Sequence, residues 1–539
     1  MVQVLASDER ELAAPTGSRW VSAGRWPWGT LTAAMASSVA FCAVRPADVD
    51  LWAALARASA VRHGVGLTYW FSWYGGGATP ANYSVLAPWL SATVGTTLLV
   101  AFAAFAVTPL AAWLARGSAH PRLATWAATL AAACNLWSGR VPFVVGSALA
   151  LAALGALRAR RRWSGPPAAA LLGLSTLVSP VSGAFGLLFV VGLGLVHRGL
   201  RRRASVAAAV TVVLFGLIAL LFSAPGPEPW NAGDSVPTLL LLALIGLVPL
   251  PRLVRVWIGL ALAAGVVVAL VPNGLGSNFD RLVLFGFPPV VAGSGRLPEW
   301  LARARPLRAF GAVAGLAVAL PVMVLGAEST VSDLRAASLV ASAGSYYEPM
   351  QQELTKVAGL VDHRVELVDN GVRTGDTELL PAALLARGWE TQVDHQLNPR
   401  LAGRRPLTAA AYRRWLDANA VGYVALPLAT SQPIPEHTLV ARHTPRYLRL
   451  VWSDSKWRLY RVADAAPLVA PPGTGLAWTQ GSYTLRDPSG KPLRLDWRWS
   501  RYLTATGPGG VRGRLERTAD GWSRLVAPRP GTYVLHDAF

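Results

Sequence analysis

"DVDLWAALARASAVRHGVGLTYWFSWYGGGATPANYSVLAPWLSA", residues 48–92, lies between two long apolar stretches, and its reading decides the fold. It holds two acids one residue apart, Asp48 and Asp50, then a basic and apolar run. A tryptophan–tyrosine cluster and three consecutive glycines follow. Residues 50–63 read as an amphipathic helix, and the seven-residue spacing puts Asp50 and Arg57 on one face of it. Paired carboxylates and an aromatic, glycine-rich loop between two hydrophobic segments place polar chemistry at the edge of an apolar body.

The composition says what that body is. The chain has 539 residues, of which 53% are hydrophobic and 15% charged, and its mean hydropathy is +0.38. That is too apolar for a soluble protein of this size and points to a multi-pass membrane protein. The formal charge of +21 raises nucleic acid as a partner. Its distribution excludes that reading, because the arginines stand in short clusters between apolar runs. The excess of Arg over Lys and the abundance of Ala fit a high-GC bacterial genome. Cys42 and Cys134 lie in or beside apolar segments, which leaves no disulfide framework or cysteine metal site elsewhere. Residues 1–26 carry Asp8, Glu9, Arg10, Glu11, Arg19 and Arg25 before any apolar run and read as a cytoplasmic tail, with no signal peptide.

Apolar stretches near spanning length fall at about 27–44, 85–114, 122–138, 141–157, 167–196, 204–223, 236–250, 256–271, 282–293 and 309–326. Splitting the fifth at Ser179-Pro180 gives about eleven spans. The arginines test that count. Arg116, Arg122, Arg158, Arg160–Arg162, Arg198, Arg201–Arg203, Arg252, Arg255, Arg296, Arg303, Arg305 and Arg308 then share one side. The opposite short loops hold only Arg45, Arg57, Arg62, Arg140 and Arg281. This asymmetry predicts the N-terminus inside and the C-terminus outside. A transmembrane region over 27–326 would carry a first external loop at 45–84, and the loops 223–235 and 272–281 would share its face.

From Glu328 the chain becomes polar. A strand is expected at 364–369, a helix at 377–388 and a Thr-capped helix at 408–420. A buried strand at 421–427 and a hairpin about Ser453-Asp454-Ser455 follow. An external α/β domain is therefore predicted over 327–465, and a β-rich domain over 466–539.

These residues carry a resemblance. The segments "DLWAALARASAVRHG…WYGGG…YSVLAPWL", "SGRVPFVVGSALALAALGALRARRRW", "SPVSGAFGLL", "NGLGSNFDRL", "LARGWETQVD", "LTAAAYRRWLDANAVGYVALP" and "YLRLVWSDSKWRLYRV" resemble a group of actinobacterial polytopic membrane proteins. That group is similar to the GT-C superfamily of glycosyltransferases, which use polyprenyl-phosphate sugars. The resemblance implies a GT-C-like fold in the plasma membrane, with a catalytic or metal-binding acid in the first external loop. It also implies a polyprenyl-phosphate sugar donor and a cell-envelope glycan or lipid acceptor. Two positions depart from the pattern: Ala54 stands where a polar residue is expected, and "GDTEL" keeps only Glu378 of an aromatic–acidic pair.

Such a transfer needs a carboxylate to take the acceptor's proton and positive charge to stabilise the departing phosphate. Asp50 is the first choice for the base, with Asp48 beside it. The Asp-x-Asp pair is also a plausible ligand set for a divalent cation, Mg or Mn. Arg57, Arg281, Tyr74, Trp73, Asp280 and Arg140 are candidates for donor phosphate or substrate, and Glu378 is the candidate in the external domain. Plainer readings stand beside these. The two acids can simply cap and solvate a helix, the aromatic cluster can be an interfacial belt, Arg281 can pair with Asp280, and Arg140 can anchor a helix. A transporter, or a non-catalytic envelope assembly or glycan-binding protein, are the competing functions. The absence of visible repeats and the scarcity of mid-span ionisable residues stand against transport.

Overall fold

The computed structural model describes residues 27–77, 79–159, 165–222, 226–295, 310–401, 406–432 and 434–538. The expected N-terminal tail, and the arginines at 160–162, 296, 303, 305 and 308, lie outside them. In chain order the first helices are α1 (Trp28–Val44), α2 (Val49–Arg62), α3 (Ala87–Val94), α4 (Thr96–Leu114), α5 (Pro121–Trp137) and α6 (Val141–Arg158). They are followed by α7 (Gly165–Val178), α8 (Pro180–Val196), α9 (Arg201–Leu221), α10 (Ala232–Gly246) and α11 (Arg252–Leu270), then α12 (Phe287–Ser294) and α13 (Phe310–Ala337). The chain divides into two compact units. One comprises Met1–Pro46, Val94–Leu221 and Pro227–Ser332; the other comprises Ala47–Thr93, Phe222–Gly226 and Asp333–Phe539.

The first unit is helical. Among the described residues, five of its helical stretches are long and apolar enough to cross a membrane: Thr96–Gly117, Val141–Arg158, Arg198–Leu221, Arg252–Leu270 and Val313–Ala337. Four more, α1, α7, α8 and α10, are apolar but shorter. Leu98, Phe102, Val213, Leu220 and Leu270 stand exposed on this unit, an outward apolar surface suited to hydrocarbon rather than water. The stretch 167–196 does break at Ser179-Pro180. Ser179 accepts a hydrogen bond from the Ser182 amide as N-cap of α8, and Pro180 occupies the first turn, where no N–H is needed. Small residues let α6, α7 and α8 approach closely. A Cβ on Gly146 would lie 2.8–2.9 Å from the Ser182 and Ser179 side chains, and Ser175 Oγ donates to the Gly146 carbonyl at 2.8 Å. The stretch 85–114 is two helices, α3 and α4, and 282–293 is a π-helical turn (Leu282–Gly286) running into α12. Pro288 and Pro289 lack the amides that would bond back to Leu284 and Phe285, which accounts for the widened turn.

The second unit joins the loop after α1 to the C-terminal third. Its remaining helices are α14 (Glu348–Leu354), α15 (Gly375–Glu378), α16 (Thr391–Leu397), α17 (Ala409–Ala418) and α18 (Pro435–Arg442). A four-stranded sheet has the order β1-β2-β4-β3, with β1 (Arg364–Leu367) parallel to β2 (Val421–Pro427). The strands β4 (Trp457–Val462) and β3 (Leu448–Ser453) form the expected antiparallel hairpin. Every residue of β2 is buried, as its apolar sequence requires of a central strand. The rest is a seven-stranded sheet, β5-β6-β11-β8-β9-β10-β7. Its strands are β5 (Thr474–Trp478), β6 (Ser482–Asp487), β7 (Leu493–Arg498), β8 (Leu503–Thr506), β9 (Arg512–Arg517), β10 (Trp522–Val526) and β11 (Gly531–Asp537).

Residues 377–388 do not form the expected helix. Only Gly375–Glu378 is helical, and the chain then runs extended beside β1. The Val365 amide donates to Leu384, the Ala386 amide to Val365, and the Leu385 amide to Ser72. Pro381 interrupts helical bonding, and burial of every side chain from 382 to 388 suits a core segment rather than a two-faced helix. The Ser72 contact stitches the 47–93 loop to that core.

Candidate functional site

Asp48 sits before α2 in extended conformation and caps it, its Oδ1 accepting from the Asp50 amide at 2.9 Å. Its side chain is buried. Asp50 lies in the first turn, half-buried, where the helix dipole favours negative charge. Two turns on, Arg57 is 2% exposed. Its Nη2 donates to Glu390 Oε1 at 2.6 Å, Nη1 donates to the Ala53 carbonyl at 3.1 Å, and the guanidinium lies 4.0 Å over the Tyr83 ring. Arg57, expected at a phosphate, is therefore a buried tie between α2 and the chain ahead of α16.

The aromatic loop is neither an interfacial belt nor an open stacking platform. Trp70, Trp73 and Tyr74 are all but fully buried, with Trp73 Nε1 donating to the Asp376 carbonyl at 2.9 Å. Tyr74 Oη donates to the Gly388 carbonyl at 2.5 Å. Trp73 and Tyr74, candidates for substrate contact, have their rings buried where the loop packs against the C-terminal third. Gly75 and Gly76 adopt positive φ of 62° and 82°, and a Cβ on Gly76 would collide with the Tyr69 ring.

Glu378 lies beside α2. Thr377 Oγ1 donates to the Trp52 carbonyl at 3.3 Å, and a Cβ on Gly344 would sit 3.3 Å from the Glu378 carboxyl carbon and 3.4 Å from the Trp52 indole. Burial, and then the neighbouring Glu348, raise the Glu378 pKa. Asp50 and Glu378 thus stand on adjoining elements.

Sequence reasoning missed the ionic cluster behind these residues. Arg387 bonds Asp394 at 2.5 and 2.9 Å and Glu436 at 2.9 Å, with Glu366 at 3.4 Å. Arg373 reaches Asp394 at 3.5 Å and Asp376 at 3.6 Å. Burial pushes Asp376 up to about 6, against the pull of Arg373 and Arg387. At Asp394 burial acts the same way, but Arg387 and Arg373 overcome it and hold the carboxyl at about 2. The signal was present as Arg387, Glu390 and Asp394 in "ARGWETQVD", but its partners come from segments distant in sequence.

A divalent ion finds a poor donor set at Asp48 and Asp50. Asp48 is engaged in capping, and among the described residues no group of three or more His, Cys, Asp or Glu stands together to hold a metal.

The helical unit carries a cavity of about 420 Å³ between α4, α5, α6, α8, α11 and α12, lined mostly by apolar side chains. Arg281 lines one end, 5.5 Å over the Phe143 ring, near Asn135, Ser147 and Ser182. Asp280 turns elsewhere and accepts from Thr238 Oγ1 at 2.8 Å. Arg140 donates to Asn135 Oδ1 at 3.3 Å and to Ser329 Oγ at 3.4 Å, which ties α5 and α6 to α13. Among the described residues, none of those lining the cavity is Asp or Glu.

The chain is similar to solved structures of other proteins. Among these are ArnT from Cupriavidus metallidurans bound to undecaprenyl phosphate, at 15% identity over 82% of this chain and 99% of that one, with a TM-score of 0.45. Two structures of the arabinofuranosyltransferase AftD from Mycobacteria match at 13% and 14% identity and TM-scores of 0.44 and 0.41. They cover 95% and 96% of this chain, which spans only 60% and 40% of theirs. No protein-family profile and no curated protein sequence matches the chain.

Proposed function

We propose that the protein is a membrane glycosyltransferase that takes a sugar from a polyprenyl-phosphate donor and passes it to a cell-envelope glycan or lipid acceptor outside the plasma membrane. The observation that carries this reading is the cavity: a largely apolar space among membrane-type helices, with Arg281 at one end. Such a wall favours an anionic amphiphile, because a guanidinium in low dielectric holds a phosphate strongly while the apolar lining takes the chain. In the reaction the acceptor hydroxyl oxygen bonds to the anomeric carbon as the bond from that carbon to the phosphate oxygen breaks. The hydroxyl proton passes to a carboxylate, for which Asp50 is the candidate, and the electron pair leaves on the lipid phosphate. Asp50 is chosen over Asp48 because Asp50 is half-buried, whereas Asp48 is buried. Glu378 is assigned to the acceptor side, and no step is routed through a metal.

The test is transfer of labelled sugar from polyprenyl-phosphate donors by the full chain in proteoliposomes. Asp50→Asn is expected to reduce transfer by roughly 100-fold or more with insertion unchanged. Arg281→Gln is expected to weaken donor use. Unchanged transfer by Asp50→Asn removes that residue from the mechanism, and absence of transfer from every prenyl-phosphate sugar by the folded wild type refutes the assignment.

A further inference from the structure

The cavity has a second cationic end. Along α6 its wall runs from Phe143 to Arg158, about 22 Å at the rise of an α-helix. At the end away from Arg281, three basic side chains from three parts of the unit line it. These are Arg158 at the close of α6, His197 just after α8 and Arg252 at the start of α11, with the Ser118 and Ser294 hydroxyls among them. Arg158 is half-buried and donates to the Leu114 carbonyl, which holds its head at the cavity wall rather than out along the helix axis. The apolar end of a prenyl chain has no use for this charge. An anionic head with hydrocarbon tails does: its phosphate suits the arginines, and its tails suit Ala150, Leu151, Leu154, Phe189 and Leu193 on the wall above.

We propose that the Arg158–His197–Arg252 end of the cavity is a binding site for the phosphate headgroup of an anionic membrane phospholipid, whose acyl chains enter the cavity from that end. The site is separate from the donor end. A tail from either side enters the same 420 Å³, so anionic phospholipid and long prenyl chains compete.

The experiment reads lipid, not sugar transfer, so its failure is distinguishable from failure of the glycosyltransferase assignment. The full chain in neutral phosphatidylcholine nanodiscs is given increasing phosphatidylglycerol, and retained lipid is measured by native mass spectrometry. Wild type is expected to retain phosphatidylglycerol preferentially, Arg158→Gln/Arg252→Gln to lose about tenfold of that preference, and the Lys/Lys pair to keep it. Arg281→Gln is expected to leave it in place. No preference in the wild type, full preference in the double Gln variant, or an equal loss in Arg281→Gln overturns the proposal. Because Arg158 also bonds the end of α4, a second measurement uses wild type alone. Phosphatidylglycerol with a photoreactive group beside the ester should label Leu114–Ser118 and Leu253. Labelling confined to Phe143–Ser147 refutes the site.

Discussion

Asp376 shows how a single buried acid sets a pH dependence. Its carboxyl is raised from 3.8 to about 6, first by burial and only then opposed by Arg373 and Arg387. A raised acid favours the fold in its protonated form. The favourable contribution is complete below the unfolded pKa near 4 and is lost as pH climbs through 6. Asp376→Asn removes that loss. The variant should match wild type near pH 4 and exceed it by about 1–3 kcal/mol at pH 7, since a tenfold change in proton affinity on folding is worth about 1.4 kcal/mol. Thermal unfolding of the two proteins across pH 4–7 checks this, and parallel curves would contradict it. Asp394 works in the opposite sense. Held at about 2, it stabilises the fold above pH 4 and ceases to do so as pH falls toward 2, outside the window where Asp376 acts. The Arg373–Asp376 pair is local, but Arg387 joins it only when the extended 379–388 segment lies along β1, which the sequence did not disclose.

At the scale of elements, α2 was readable nearly to the residue. Its Asp cap, apolar spacing and terminal Arg62–His63 are local signals, and the helix runs Val49–Arg62 against the expected 50–63. The same local physics failed at 377–388, where helix propensity yielded to Pro381 and to burial on every side. Nor does it show what covers the Trp73–Tyr74 loop, since sequence gives aromatic content but not which surface packs on it. The two acids of α2 can be told apart by substitution. If Asp48 is a cap, Asn accepts the same amide hydrogen bond, whereas Ala leaves it unmade and costs about 1 kcal/mol. Asp48→Asn should therefore retain both stability and transfer, while Asp48→Ala lowers the melting temperature. Asp50→Asn should lose transfer and keep the melting temperature. Loss of transfer in Asp48→Asn would return that residue to the chemistry.

At the scale of the whole chain, hydropathy and arginine placement disclosed the helical unit and the change of character near residue 328. They could not disclose that the loop after α1 folds with the C-terminal third, because that pairing joins residues several hundred positions apart. The tie is concrete. Asp537, near the end of the chain, accepts hydrogen bonds from the Thr68 amide at 2.9 Å and the Tyr69 amide at 3.0 Å. Tyr69 and Phe71 pack in one core with Tyr483, Leu485, Trp497 and Tyr533. Two buried amides that lose a carboxylate acceptor each bear a desolvation cost of about 1–3 kcal/mol. Asp537→Ala should therefore loosen residues 67–76 as well as β11, and Asp537→Asn, which keeps one acceptor oxygen, should loosen them less. Hydrogen exchange read peptide by peptide supplies the check. The alanine variant should lose protection at 67–76 while α1 and α4 keep theirs, since those helices belong to the other unit. If protection at 67–76 is untouched while the C-terminal strands fray, the loop does not depend on the sheet that the structure places beside it.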